Sequence, residues 1–131
     1  MKTGELVAPE DNPVAWTAHS DLAEAAAAVL CGQEIDGMTP NLTASEAIDM
    51  AGIAAIASEI LGRTIRRIVV SDEAFRDRMR SQGVPEASVK MRVGMFLASG
   101  RGDFAQVDPT LAQLISCPPL SIREVLKNSI K

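Results

Sequence analysis

Asp49-Met50-Ala51-Gly52-Ile53-Ala54-Ala55-Ile56-Ala57-Ser58-Glu59-Ile60-Leu61-Gly62-Arg63-Thr64-Ile65-Arg66-Arg67-Ile68-Val69-Val70-Ser71-Asp72-Glu73 is the stretch from which the fold reads outward. Asp49 is a helix-capping residue type, and its carboxylate can accept from a free amide of the first turn. Ile53, Ile56, Ala57, Ile60 and Leu61 then recur at i, i+3, i+4, i+7 and i+8, which places one apolar stripe toward a core. Gly62 stands where a helix ends in the left-handed region. Arg63 to Val70 sets basic residues among β-branched ones, the pattern of a half-exposed strand. Ser71 stops that strand and caps a helix reaching Gln82, with Asp72 and Glu73 at its positive end and Phe75 and Met79 turned inward.

Toward the N-terminus, Leu6-Val7 and Val14-Ala15-Trp16-Thr17 read as short extended pieces on either side of Pro9-Glu10-Asp11-Asn12-Pro13, a turn-forming run. Asp21 is expected to cap a helix running to Leu30 and closed by Cys31-Gly32. The single charge in its alanine-rich body marks it as a helix covered on most sides. After a turn at Gly37, Thr39 to Thr43 reads as another short strand.

Toward the C-terminus, Gly83-Val84-Pro85 leads into a helix from Glu86 to Ala98. Val89, Val93, Phe96 and Leu97 form one stripe on it, and Met91, Met95 and Ala98 form a second beside it. Such a second face is either filler or the wall of a pocket. Asp108-Pro109 opens a short helix, Thr110 to Ile115. Cys117-Pro118-Pro119 forces an extended link, and Ser121-Ile122-Arg123-Glu124 is a capping box opening the last helix. The sum is an α+β fold, mainly helical, with five or six helices and three or four short strands. No βαβ series is long enough to build a doubly wound sheet.

At 131 residues, one globular domain with a real core is accessible, and residues 1–131 are read as that single domain. Net charge is −4, which argues against a dedicated nucleic-acid binder. The charge is uneven: the first 62 residues hold one basic and ten acidic side chains, and residues 63–92 hold eight basic and four acidic. The two parts therefore attract each other, or the basic part receives an anion. With no tyrosine, the Tyr-x-x-x-Lys pair of short-chain dehydrogenases cannot form. One histidine and two cysteines 86 positions apart make no readable metal site. Cys31 and Cys117 are expected to be reduced thiols. There is neither a cationic leader with an apolar run nor an apolar stretch of membrane-spanning length, so the cytoplasm is the expected compartment, with no membrane partner.

The order of these pieces resembles a known family. Val14-Ala15-Trp16-Thr17-Ala18-His19-Ser20-Asp21 running into the alanine-rich helix resembles the strand–Asp–helix segment of the NmrA-like atypical short-chain dehydrogenases. Leu42-Thr43-Ala44-Ser45-Glu46-Ala47-Ile48-Asp49 resembles that family's Leu-Thr-Gly step into a helix, with Ala44 in place of the glycine. Leu61-Gly62-Arg63 with its strand, Ser71-Asp72-Glu73, Gly83-Val84-Pro85, Gly102-Asp103-Phe104 and Pro118-Pro119 follow in the same order. Ser116 stands where a glycine usually precedes the last link.

The resemblance covers nearly the whole chain and is greatest to NAD(P)H:quinone oxidoreductases. It implies the C-terminal, substrate-side half of such a protein. The Gly-x-Gly-x-x-Gly turn of the N-terminal Rossmann half does not occur here; Gly100-Arg101-Gly102 follows a helix and lacks the third glycine. NADP is therefore implied by resemblance only, and no cofactor is expected for the chain alone. Strand edges and helix faces that the other half would cover predict a homodimer or a separate Rossmann subunit.

No catalytic residue or metal ligand is nominated. His19-Ser20-Asp21 contains three catalytic residue types, but adjacency along a chain does not orient a triad. The substrate-binding candidates are His19, which the resemblance would place facing the nicotinamide, Trp16, which could stack on a flat ring, and the Met91/Met95 face. Three readings stay open: an inactive partial relative, a small-molecule or protein-binding module, and one subunit of a split oxidoreductase.

Overall fold

The computed structural model describes residues 3–32 and 40–130. In chain order the elements are β1 (Glu5–Ala8), α1 (His19–Leu30), α2 (Met50–Leu61), β2 (Arg66–Val69), α3 (Asp72–Ser81), α4 (Glu86–Gly100), α5 (Thr110–Ile115) and α6 (Ile122–Ile130). They fall into two compact units, each made of two stretches of chain. One is Met1–Pro13 with Asp49–Phe104, and the other is Val14–Ile48 with Ala105–Lys131.

In the first unit, β1 and β2 form a two-stranded parallel sheet in which Glu5 pairs with Arg66 and Ala8 with Val69. Asp49 caps α2 by accepting from the Gly52 amide at 2.8 Å, and Gly62 ends that helix at φ 63°. Ser58 closes the step from α2 to β2: its hydroxyl donates to the Ala54 carbonyl and accepts from the Ile65 amide. Ala54, Ala57 and Ile65 form the core beneath, with Leu6 and Leu61 packed on it. Ser71 caps α3 through the Ala74 amide. Met79, Val89 and Val93 then join α3 to α4, with Phe75 edge-on to Phe96 at 5.4 Å.

Arg67 ties the end of β1 to the start of α2. Its guanidinium donates to the carbonyls of Ala8 at 2.7 Å, Ile68 at 2.6 Å and Pro9, and pairs with Asp11. The other Asp11 oxygen accepts from the Met50 amide at 2.7 Å. Both side chains are almost withdrawn from water, 11% and 9% exposed.

In the second unit, α1 packs on α5 around Ala25, Leu111, Leu114 and Ile115, with Leu42 against the cluster. The Ser121/Glu124 capping box forms as read: Glu124 accepts from the Ser121 amide and hydroxyl, both at 2.8 Å, and the Glu124 amide donates back to Ser121. Asp108 accepts from the Thr110 amide and hydroxyl at the start of α5.

Three local expectations change. Asp21 does not cap α1. The helix begins three residues earlier, after Ala18, and the Asp21 carboxylate, buried in the first turn, accepts from the Leu120 amide at 2.7 Å. Among the described residues there are two strands rather than three or four. Val14 to Thr17 makes only a single antiparallel bridge, Val14 with Ile48, and residues 41–43 have no ladder. There Thr43 turns its hydroxyl to Asp108, accepting from its amide at 2.8 Å, so a side chain fixes this segment instead of a neighbouring strand. Gly37 and Thr39, the expected turn and strand start, lie outside the described residues. On α4, Leu97 is 49% exposed while Ser99 is buried. The Ser99 hydroxyl donates to the Asn12 carbonyl and accepts from the Asn12 amide, and these bonds bring a polar residue to the inner side of the helix.

Candidate functional site

A partly open cavity of about 240 Å³ in the second unit is lined by aromatic, proline and carboxylate side chains. Trp16 forms part of its wall. The Trp16 indole N–H donates to the Ile48 carbonyl at 2.9 Å, which fixes the ring beside the Val14–Ile48 bridge. Pro118 and Pro119 face the same space, brought there by the Asp21–Leu120 bond that holds the link to the first turn of α1. Glu46 and Glu124 add two carboxylates, and none of the described lining residues is cationic. Hydrogen bonds from Ser121 hold the Glu124 carboxyl below the usual carboxylate range, whereas Glu46 makes no hydrogen bond or ion pair with a described residue.

Of the four substrate-binding candidates, Trp16 lines this cavity. His19 is the first residue of α1 and is exposed. Met91 and Met95 belong to the other unit, on the outer side of α4, 61% and 51% exposed. The sequence reading missed Glu46. It took Pro118-Pro119 only as a link, although a rigid two-proline step beside a capping box is itself a sign of a fixed wall. Among the described residues no three His, Cys, Asp or Glu side chains are placed to hold a metal ion. Cys31 and Cys117 are free and exposed.

A dinucleotide needs backbone amides at a helix N-terminus, approached through glycine from a strand. The described glycines with positive φ are Gly4, Gly32, Gly62, Gly83 and Gly102. Gly4 precedes β1, and the other four follow the C-terminal ends of α1, α2, α3 and α4, where carbonyls rather than amides are left free. None of these five glycines stands between a strand and the N-terminus of a helix.

No protein-family profile matches the sequence. An NmrA-like family domain-containing oxidoreductase, flvB, of Aspergillus flavus is 23% identical over 129 residues, 96% of this chain and 42% of the relative. Among solved structures, the Citrobacter sp. triphenylmethane reductase complexed with NADP(H) superposes with a TM-score of 0.90 at 25% identity. That match covers 98% of this chain and 45% of the reductase. The NADPH-dependent quinone oxidoreductase QOR2 of Escherichia coli superposes with a TM-score of 0.92 at 21% identity, covering 99% and 48%. No helix among the described residues is long and apolar enough to cross a membrane. The chain has the fold of part of the NmrA-like oxidoreductases to which it is similar and spans less than half of their length, as a C-terminal fragment of that fold would.

Proposed function

We propose that these 131 residues are the substrate-side half of an NmrA-like NAD(P)H-dependent oxidoreductase and do not carry out hydride transfer by themselves. One observation carries the reading: the chain matches its relatives along nearly its whole length but covers only 42–48% of theirs. The glycine geometry supports it, since every described left-handed glycine but one sits at a helix C-terminus and the remaining one precedes a strand. In cofactor-dependent hydride transfer the cofactor supplies the chemistry and the protein supplies binding and orientation. The part these residues supply is a scaffold for substrate, with Trp16 and His19 as candidate contacts in one unit and the Met91/Met95 face as a separate candidate in the other. NADP(H) then belongs to a dinucleotide-binding half provided by another stretch of polypeptide.

The same reading has the isolated chain associate with itself. The outer side of α1 exposes Ala23, Ala26, Ala27 and Leu30, at i, i+3, i+4 and i+7, and Leu30 is 88% exposed. Such a face on a soluble chain calls for a cover. Calorimetric titration with NADPH, with the solution mass taken on the same sample, tests both statements. The expected result is no heat of binding and a particle of twice 13.9 kDa. Micromolar NADPH binding would overturn the first statement, and a monomer mass the second.

A further inference from the structure

We infer that the cavity beside Trp16 is a binding site for a small organic cation, an ammonium group carried on a flat apolar body. This inference stands on the second unit alone and does not depend on the reading above.

The walls decide the body of the ligand. Trp16, Ile48, Pro118 and Pro119 present ring and aliphatic carbon, and the Trp16 N–H is already committed to the Ile48 carbonyl. The indole therefore offers a ligand its ring rather than a hydrogen bond. Neither proline carries an amide hydrogen, and their fixed rings leave little side-chain freedom to be lost on binding. The site is thus rigid before a ligand arrives. Its volume of about 240 Å³ lies below the 300–1,000 Å³ typical of drug-sized ligands, so a single ring with a short arm fits and a dinucleotide does not.

The charges decide the head group. Among the described lining residues the ionisable ones are Glu46 and Glu124, which favour a cation over an anion, although Lys127 offsets part of the charge at Glu124 and leaves Glu46 as the main source. Glu124 is occupied by Ser121 and contributes charge at a fixed position. Glu46 is uncommitted, and it is the group left to accept a hydrogen bond from an ammonium.

The chain contains one tryptophan and no tyrosine, so its intrinsic emission reports from the wall of this cavity. Titration with benzylammonium, benzyl alcohol and benzoate at matched ionic strength tests the assignment. Benzylammonium should change Trp16 emission saturably, with benzyl alcohol binding roughly tenfold more weakly and benzoate not at all. Glu46 is exposed, so Glu46→Gln should leave the unfolding midpoint unchanged while reducing the preference for ammonium over alcohol to about twofold or less. Glu46→Lys should reverse the preference toward benzoate. Equal binding of ammonium and alcohol overturns the inference, as does a preference that survives Glu46→Gln. So does the absence of any saturable response in both emission and ligand-observed NMR.

Discussion

Ser116 is the one non-glycine residue with positive φ among the described residues, at φ 57° in the C-cap of α5. It also stands where the family resemblance leads one to expect glycine. The perturbation is Ser116→Gly. Holding an L-residue in the left-handed region costs about 1–2 kcal/mol, because Cβ crowds the backbone carbonyl. Glycine escapes that cost but gives up about 0.5–1 kcal/mol more unfolded-state entropy. The net expectation is a stabilisation of about 0.5–1 kcal/mol. The serine side chain is exposed and makes no hydrogen bond to a described residue that would be lost. Urea unfolding followed by Trp16 emission is the assay, because Trp16 and Ser116 belong to the same unit. With a slope of about 2 kcal/mol per molar, the midpoint should rise by about 0.3–0.5 M. Ser116→Ala should leave it nearly unchanged, and Ser116→Val should lower it, since a β-branched residue tolerates this region least. A midpoint that falls in Ser116→Gly, or stays level in Ser116→Val, would refute the reasoning.

The remaining predictions concern charge. Arg67→Met leaves Asp11 buried without its partner and removes donors from three carbonyls, a loss of about 3–5 kcal/mol, measured as the unfolding midpoint by circular dichroism. A loss under 1 kcal/mol would show that the pair is dispensable. The Glu124 carboxyl is held below its usual range first by the Ser121 amide and next by the Ser121 hydroxyl. Its folded value therefore lies below its unfolded one. The capping box is fully stabilising above the unfolded value of about 4.3 and is lost as pH falls through the lowered folded value. Amide exchange in α6 should accelerate across that acid window in the native chain. In Glu124→Gln the Glu124 contribution to that acceleration should disappear, and an unaltered pH profile would sink the assignment.

The features legible in the sequence are those whose partners lie within one helical turn. Asp49 reaches Gly52, Ser71 reaches Ala74, and Ser121 and Glu124 reach each other, so residue type and spacing were enough. The features that were not legible have distant partners. Asp21 has the residue type and position of a cap, yet its acceptor oxygen is taken by Leu120, 99 positions away. Arg67 looks like the exposed half of an alternating strand, but its guanidinium turns back to Ala8 and Pro9. Ser99 entered the core of α4 in place of Leu97 because Asn12, 87 positions earlier, supplies both of its hydrogen bonds. The cavity was half legible. Trp16 stood out by rarity, whereas Glu46 reads as any solvated acid until the 118–122 link is laid beside it.

The interleaving of the two units has a consequence for how the chain is made. Each unit opens with a segment that must wait for its completion: β1 is synthesised first, but its partner β2 emerges only after the whole of Val14–Ile48 has passed. Closing such separations precedes any gain from the contacts, which slows folding. The Leu120 amide that satisfies Asp21 is synthesised 99 residues after it, so α1 acquires its buried anchor only once that later segment has emerged. No contiguous fragment can reproduce either unit, and a premature stop anywhere before residue 120 would release a polypeptide with its second unit unfinished.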